Sequence, residues 1–130
     1  MTTSPYFVPA IYIKSGVKDV DFYIQALGAV ELRRWSNDDG GIHVVELDID
    51  GALFHLHEDN PAAGKFHPGR YNGVTATIGL MVPDVDAVMT AAQKAGAEIT
   101  APAEDFDYGY RQGGFTDPNG IRWMIEQKIP

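Results

Sequence analysis

The sequence contains no cysteine, which excludes disulfide bonds, cysteine nucleophiles and cysteine-ligated zinc. The absence of cysteine does not identify the redox compartment of the protein, and a reducing cytoplasm is the simplest expectation. Serine is also scarce, because Ser4, Ser15 and Ser36 are the only serines. None of them lies in a nucleophile-elbow sequence, so serine-nucleophile chemistry has little support.

Long apolar runs are missing too. The longest mostly apolar stretch, residues 74–82, is far too short to span a bilayer. Residues 1–5 lack the basic segment followed by an apolar core that marks a secretory signal. We therefore expect a soluble cytoplasmic protein with no membrane partner.

Positive charge is in deficit, since Lys and Arg total 10 against 18 Asp and Glu, a formal net charge of −8. Such a surface repels polyanions, so we expect no nucleic-acid partner. It would favour a cationic ligand if the negative charge faces the binding site. The simpler interpretation of the charge alone is an acidic surface that keeps the protein in solution.

The 130 residues, the size of a single domain, repeat themselves. Residues 17–21 (VKDVD) are echoed by residues 82–86 (VPDVD). Each segment follows an apolar alternating stretch and precedes apolar residues at i, i+3, i+4 and i+7, which predict a helix. Gly28 and Gly96 then fit left-handed helix caps. We predict one domain over residues 1–130, with module one at about 5–58, a linker at about 59–73 and module two at about 74–128.

Three strand candidates follow each predicted helix, at residues 30–35, 42–49 and 52–57 and at residues 98–101, 108–116 and 121–126. The order strand, helix and three strands thus occurs twice. The predicted fold class is α+β, with two βαβββ modules that form a curved mixed sheet around a cleft. The space enclosed should lie between the non-helical faces of the two halves.

Asp50-Gly51 between two alternating runs is the strongest short signal for a β-hairpin. A two-residue turn pairs Glu46 with His55. Because side chains alternate across a strand, the hairpin has an apolar face and a mixed face. The apolar face carries Val45, Leu47, Ile49, Ala52, Phe54 and Leu56. The mixed face carries Val44, Glu46, Asp48, Leu53, His55 and His57.

Two interpretations of the mixed face stay open. Glu46, His55 and His57 have the residue types of a two-histidine, one-carboxylate metal site. Alternatively they are half-buried side chains that hydrogen-bond to one another, to ligand or to water, which is favoured because metal triads are rare. His55 with Glu46 also makes a candidate acid–base pair for isomerisation or proton abstraction next to a carbonyl. His67, in the linker, is expected to be solvent-exposed.

The sequence resembles the vicinal oxygen chelate superfamily, which includes glyoxalase I, extradiol dioxygenases and bleomycin-resistance proteins. The resemblance covers nearly the whole chain, and its most specific piece is the run at residues 115–120. It rests on these segments: DFY at 21–23, LG at 27–28, VD at 85–86, AGA at 95–97, YGYR at 108–111, FTDPNG at 115–120 and RW at 122–123.

The resemblance implies a U-shaped sheet around a cavity, often in a homodimer whose cavities include residues from both chains. It also implies a divalent metal held by four strands, at positions that fall near Val8, His55, Thr77 and Met124. Only His55 is a good ligand type, so no metal or other cofactor is favoured. The same register turns Arg122 and Met124 inward.

The leading functional hypothesis is a bleomycin-resistance-like protein that sequesters a planar or cationic small molecule, as in antibiotic resistance. The alternative is a glyoxalase- or dioxygenase-related lyase, isomerase or dioxygenase that uses His55 with or without a non-standard metal. Aromatic residues would stack on the ligand, and Arg111 or Arg122 would either anchor an anion or form salt bridges. Trp123 should pack under a helix. The expected ligand-binding residues are Trp35, Glu46, His55, His57, Tyr108, Tyr110, Arg122 and Met124.

Overall fold

The structure, a computed structural model, describes residues 4–130. Within this range a βαβββ unit occurs twice. The elements are β1 (Ala10–Ile13), α1 (Asp21–Leu27), β2 (Val30–Ser36), β3 (Ile42–Ile49), β4 (Ala52–Glu58), a 3-10 helix (Pro61–Ala63), β5 (Ile78–Met81), α2 (Val85–Lys94), β6 (Glu98–Phe106), β7 (Tyr110–Thr116) and β8 (Arg122–Lys128).

The strands form two four-stranded mixed sheets, with the order β1-β4-β3-β2 in the first and β5-β8-β7-β6 in the second. β1 is parallel to β4, β5 is parallel to β8, and the other pairs are antiparallel. The equal strand order confirms the predicted α+β fold with paired βαβββ units. The bounds differ most from expectation in the last three strands: β6 runs on to Phe106, β7 begins at Tyr110 and β8 ends at Lys128.

The hairpin between β3 and β4 has the predicted register, in which Glu46 lies opposite His55. Both turn residues have positive φ, 50° for Asp50 and 96° for Gly51. This geometry suits the right-handed twist of the strands and selects Asp-Gly. The Asp48 side chain also accepts a 2.7 Å hydrogen bond from the Gly51 N–H. The turn therefore fixes which side chains share a face.

The two helices end differently. α1 ends at Gly28 in the left-handed conformation, as predicted. α2 ends at Lys94, its cap Ala95 is right-handed, and the positive φ of 111° comes one residue later at Gly96. The prediction of a left-handed glycine cap at Gly96 is correct, because the N–H groups of Gly96 and Ala97 donate to the Gln93 and Ala92 carbonyls as they do in a Schellman motif. Neither helix in the described range is long and apolar enough to cross a membrane.

The apolar faces of both sheets meet in a single core with the two helices. Phe54 of the first sheet contacts Trp123 of the second, with ring centroids 5.5 Å apart. Phe22 of α1 packs on Phe115 of β7 at 5.8 Å. Burying both apolar faces in this way removes the largest apolar area from water. The polar face of each sheet consequently points away from this core.

The Asp-Pro-Asn-Gly turn before β8 has a structural role in this core. Its carboxylate, Asp117, is 4% exposed and accepts four hydrogen bonds. Tyr23 donates one from α1 at 2.7 Å, and the indole N–H of Trp123 donates another at 2.9 Å. The backbone N–H groups of Asn119 and Ile121 donate the remaining two, at 2.8 and 3.1 Å. One side chain thus joins the first helix, the turn and β8.

Candidate functional site

Alternation along β3 and β4 builds the polar face of the first sheet. Val45, Leu47 and Leu56 are buried in the core, so their neighbours point to the other side. β1 adds Tyr12 to the same side, because Ile13 is buried and Tyr12 lies beside His57 in the ladder. The structure thereby brings the predicted residues Glu46, His55 and His57 together, all of them half-buried.

Glu46 and His55 face each other across the ladder. The His55 Nε2 lies 3.8 Å from the Glu46 Oε2, and both side chains are about three-quarters buried. The distance is too long for a direct hydrogen bond. A ligand group or a water molecule placed beside the pair can hydrogen-bond to both side chains at once.

His57 holds the unsatisfied group of this face. Its ring stacks on His55 with centroids 6.1 Å apart and meets the edge of Tyr12 at 6.2 Å. Its Nε2 is buried and has no hydrogen-bond partner among residues 4–130. Burial lowers the pKa of His57, and the neighbouring positive charges of His55, His43 and Lys65 lower it further. The neutral ring therefore presents a polar nitrogen without a protein partner, which costs free energy unless a ligand or water satisfies it.

β2 supplies the aromatic edge of the first face. Trp35, paired with Val44, is 42% exposed and lies on the same side of the sheet as Val44. The guanidinium of Arg33 lies 4.5 Å from the centre of the Trp35 ring and pairs in register with Glu46. Sequence reasoning missed Arg33, because a β-bulge between Glu31 and Arg33 shifts which side chains face the site.

The second sheet has its own polar face. Trp123 and Ile125 are buried, which confirms that Trp123 packs towards the helices and turns Arg122, Met124 and Glu126 to the other side. Among residues 4–130, no hydrogen bond, ion pair or ring contact joins this face to the polar face of the first sheet. Each sheet therefore carries a polar face of its own.

Aromatic side chains line one end of the second face. Tyr108, 59% exposed, stacks on Phe106 at 5.3 Å and contacts Tyr110 at 5.9 Å. The Tyr108 hydroxyl donates to the Gln112 Oε1 at 2.5 Å, and the Gln112 Nε2 donates to the Glu126 Oε1 at 2.7 Å. These two consecutive hydrogen bonds orient the Tyr108 side chain. The other carboxylate oxygen of Glu126, Oε2, lies over Gly79.

The two non-helical faces, between which the cleft is expected, both point away from the shared core. Trp35, Glu46, His55 and His57 belong to the first face. Tyr110, Arg122 and Met124 belong to the second, and Tyr108 lies beside Tyr110 in the turn between β6 and β7. No signal in a single sequence reports which sides of two sheets face each other, so this arrangement was not predictable.

The two candidate anion anchors differ. Arg111 forms ion pairs with Asp86 and Asp105, each at 2.9 Å, and these partners raise its pKa. The salt-bridge alternative is therefore correct for Arg111. Arg122 has no hydrogen bond or ion pair in the described part of the chain, so its guanidinium stays available for a ligand.

The side chains present do not fit the metal site implied by the resemblance. The four positions offer two groups that are poor ligands for a hard cation, a hydrocarbon at Val8 and a thioether at Met124. Thr77 is exposed and lies one residue before the start of β5. No three His, Asp or Glu side chains among residues 4–130 are grouped so that they could hold a metal ion, and this includes Glu46, His55 and His57.

His67 departs from its expected exposure. Its side chain is 22% exposed, and its Nδ1 lies 2.5 Å from the Asp59 Oδ2. Burial of Asp59 acts to raise its pKa, but hydrogen bonds from His67 and Ser15 outweigh burial and lower it. Asp59 therefore stays ionised and accepts the Nδ1–H of His67. The linker folds against the modules, which its Pro- and Gly-rich composition did not indicate.

Comparisons with known proteins agree on a family and on a fold. Residues 9–125 match the model of the Glyoxalase/Bleomycin resistance protein/Dioxygenase superfamily. The uncharacterized protein Rv0887c of Mycobacterium tuberculosis is 34% identical over 132 residues, 99% of this chain and 78% of that protein.

Solved structures share the fold at low sequence identity. TioX from Micromonospora sp. ML1 aligns with a TM-score of 0.71 at 23% identity, over 97% of this chain and 98% of TioX. The fosfomycin resistance protein FosX from Listeria monocytogenes aligns with a TM-score of 0.66 at 16% identity, over 98% of this chain and 96% of FosX.

Proposed function

The chain belongs to the glyoxalase/bleomycin resistance protein/dioxygenase superfamily, and from that premise we propose that it binds a planar, cationic small molecule in a cleft. The cleft lies over the polar face of the first sheet, at Glu46, His55 and His57. In this proposal the protein acts by sequestration, as the family description includes bleomycin resistance proteins.

The observation that carries the proposal is the unpartnered Nε2 of His57. Buried polar atoms in folded proteins nearly always have a partner. This atom lies on the sheet side that faces away from the core, next to the Glu46–His55 pair. A ligand seated there would satisfy His57, while Trp35 offers an exposed ring for stacking.

A second copy of the chain would complete the cleft. One face alone is an open sheet surface, whereas ligand sites bury most of the ligand. The polar face of the partner's second sheet offers a tyrosine cluster and a further carboxylate. These residues are Tyr108, Tyr110, Met124 and Glu126, with Arg122 at the margin.

Negative charge supports a cationic ligand. Glu46 is placed in the middle of the first face, and Glu126 keeps one oxygen without a hydrogen bond in the described chain. Asp48 contributes less, because its side chain caps the hairpin turn. The overall charge of −8 adds attraction at long range.

Binding of ethidium, a planar cation, against phenanthridine, its uncharged parent ring system, tests this function. We expect the wild-type protein to bind ethidium more tightly than phenanthridine. Glu46→Gln should weaken the affinity for ethidium by about tenfold and have little effect on the affinity for phenanthridine. Asp21→Asn removes the same charge from α1, on the other side of the sheet, and should leave both affinities unchanged. An equal loss of ethidium affinity in the two variants would show that only the overall charge of the protein attracts the ligand, and would contradict a contact with Glu46.

A second function rests on the approach of His55 to Glu46 at 3.8 Å. This pair has the residue types for metal-free proton transfer at a carbon next to a carbonyl. Exchange of α-protons of simple ketones and aldehydes into D₂O, followed by NMR, tests it. If the wild type exchanges these protons and folded His55→Ala does not, the result favours a catalytic function. If the wild type does not exchange them, the result favours sequestration.

Neither function requires a bound metal. Metal analysis of protein purified without a histidine tag, followed by titration with Ni, Zn, Fe(II), Mn and Co, checks this point. Stoichiometric metal that disappears on replacing Glu46, His55 or His57 would instead support a non-standard metal enzyme.

A further inference from the structure

The linker between the sheets covers a cavity of about 830 Å³, which reaches Tyr12 of the first polar face and Arg122 of the second. Its walls come from β1, from the linker and from the beginning of β8. They include Tyr12, Lys65, Phe66, His67, Tyr71 and Arg122. The volume lies in the range of small-ligand sites.

The charge of this cavity is opposite to that of the molecule. No Asp or Glu lies among its lining residues, although the chain carries 18 of them against 10 Lys and Arg. Lys65 and Arg122 both line it, and neither has an ion pair in the described part of the chain. Two unpaired cations in an acidic protein, facing one cavity without a carboxylate, favour an anion.

The remaining wall is apolar and aromatic. Phe66 and Tyr71 meet edge to face, with centroids 5.2 Å apart. Arg70 supports them from its position 5.3 Å from the Phe66 ring and 5.7 Å from the Tyr71 ring. Such a wall contributes apolar area and stacking to a planar ligand, which free phosphate cannot use.

Contacts at both ends hold the linker in place. Asp59 accepts hydrogen bonds from Ser15 at 3.0 Å and from His67 at 2.5 Å. Backbone hydrogen bonds of 2.8 and 3.0 Å join Asn60 and Lys65. At the other end the Pro68 carbonyl packs so closely on Gly120 that an added Cβ would lie 3.1 Å from it. The cavity is thus formed before any ligand binds, which lowers the cost of ordering it.

We propose that this linker cavity binds a small organic carboxylate with a planar apolar body, held by Lys65 and Arg122. The planar fork of Arg122 matches a carboxylate, and the ring body packs on Phe66 and Tyr71. His67, whose Nδ1 is held by Asp59, also lines this cavity. The site differs from the cleft over Glu46 in its charge and in its ligand.

Titration of the wild-type protein with 2-naphthoate, followed by ¹H–¹⁵N NMR, tests the proposal, with uncharged 2-naphthamide as the matched probe. We expect naphthoate to shift the amides of residues 64–76 and 121–122 and to bind more tightly than naphthamide. Lys65→Gln and Arg122→Gln should each weaken the affinity for naphthoate by about tenfold and leave the affinity for naphthamide nearly unchanged. Lys94→Gln, on α2, and Glu46→Gln should not alter naphthoate binding.

Four results would overturn the proposal. These are no binding of naphthoate, equal binding of the two probes, an equal effect of Lys65→Gln and Lys94→Gln, or tighter binding of inorganic phosphate than of naphthoate. Shifts confined to the strands around Glu46 and His55 would also overturn it, because the anion would then occupy the cleft. Failure of the cleft to bind ethidium does not bear on these outcomes.

Discussion

The hydroxyl of Tyr23 donates a 2.7 Å hydrogen bond to the carboxylate of Asp117, 94 residues further along the chain. This bond joins the first helix to the turn before the last strand. Burial raises the pKa of Asp117, while hydrogen bonds from Tyr23 and Trp123 partly oppose the rise. Burial also raises the pKa of Tyr23, and the Asp117 charge adds to it.

Asp117→Asn should destabilise the protein by about 2–4 kcal/mol. The amide retains one acceptor oxygen where the carboxylate had two, so buried donors such as the Trp123 N–H lose their partner. Urea unfolding at neutral pH measures the effect. The control is Asp38→Asn, an exposed position in the β2–β3 turn, which should change stability by less than about 0.5 kcal/mol. A similar loss of stability in the two variants would contradict the structural role of the Asp117 hydrogen bonds.

The stability difference between wild type and Asp117→Asn should depend on pH. Because burial raises the folded-state pKa of Asp117 above its ordinary value of 3.8, its contribution is fully present below the unfolded-state pKa and is lost as pH rises through the folded-state pKa. The difference in unfolding free energy should therefore grow from about pH 7 to about pH 4.5. A difference that shrinks over this range would mean that the pKa is lowered.

Gly120→Ala and Gly40→Ala form a matched pair. Their φ values are nearly equal, +83° and +85°, but only at Gly120 would a Cβ meet a neighbour, the Pro68 carbonyl at 3.1 Å. Both substitutions cost about 1 kcal/mol of backbone strain. Gly120→Ala should cost about 1 kcal/mol more and shift the linker amides in NMR spectra. Equal costs would show that the linker does not rest on this turn.

The proposed cleft requires a dimer, and sedimentation should detect one. Wild-type protein is expected to sediment as a homodimer, because in this proposal the first polar face of one chain meets the second polar face of its partner. A strictly monomeric species at high protein concentration would contradict a cleft shared between copies.

Much of the fold was readable in local sequence. The Asp50-Gly51 turn set the hairpin register correctly, so the shared sheet face of Glu46, His55 and His57 was predicted residue by residue. Alternation around Trp123 likewise separated the core from the outer face of β8. These results follow from the strict period of two along a strand.

What local sequence did not report were relations over long distances. The bulge that brings Arg33 beside Trp35 has no composition signal. The pairing of Asp59 with His67 depends on how a Pro- and Gly-rich linker folds back on the modules. The orientation of the two sheets depends on helix packing, such as Phe22 against Phe115, which no periodicity within one element contains.

The most direct measurement is ethidium binding by mixed dimers. One subunit carries Glu46→Gln with His55→Ala, and the other carries Tyr108→Ala with Tyr110→Ala. If a cleft joins the first sheet of one chain to the second sheet of its partner, one cleft in each mixed dimer is intact. We then predict wild-type affinity at half the wild-type capacity, although each variant homodimer binds weakly. If the mixed dimers bind as weakly as the homodimers, the cleft is not shared in this way and the proposed site is wrong.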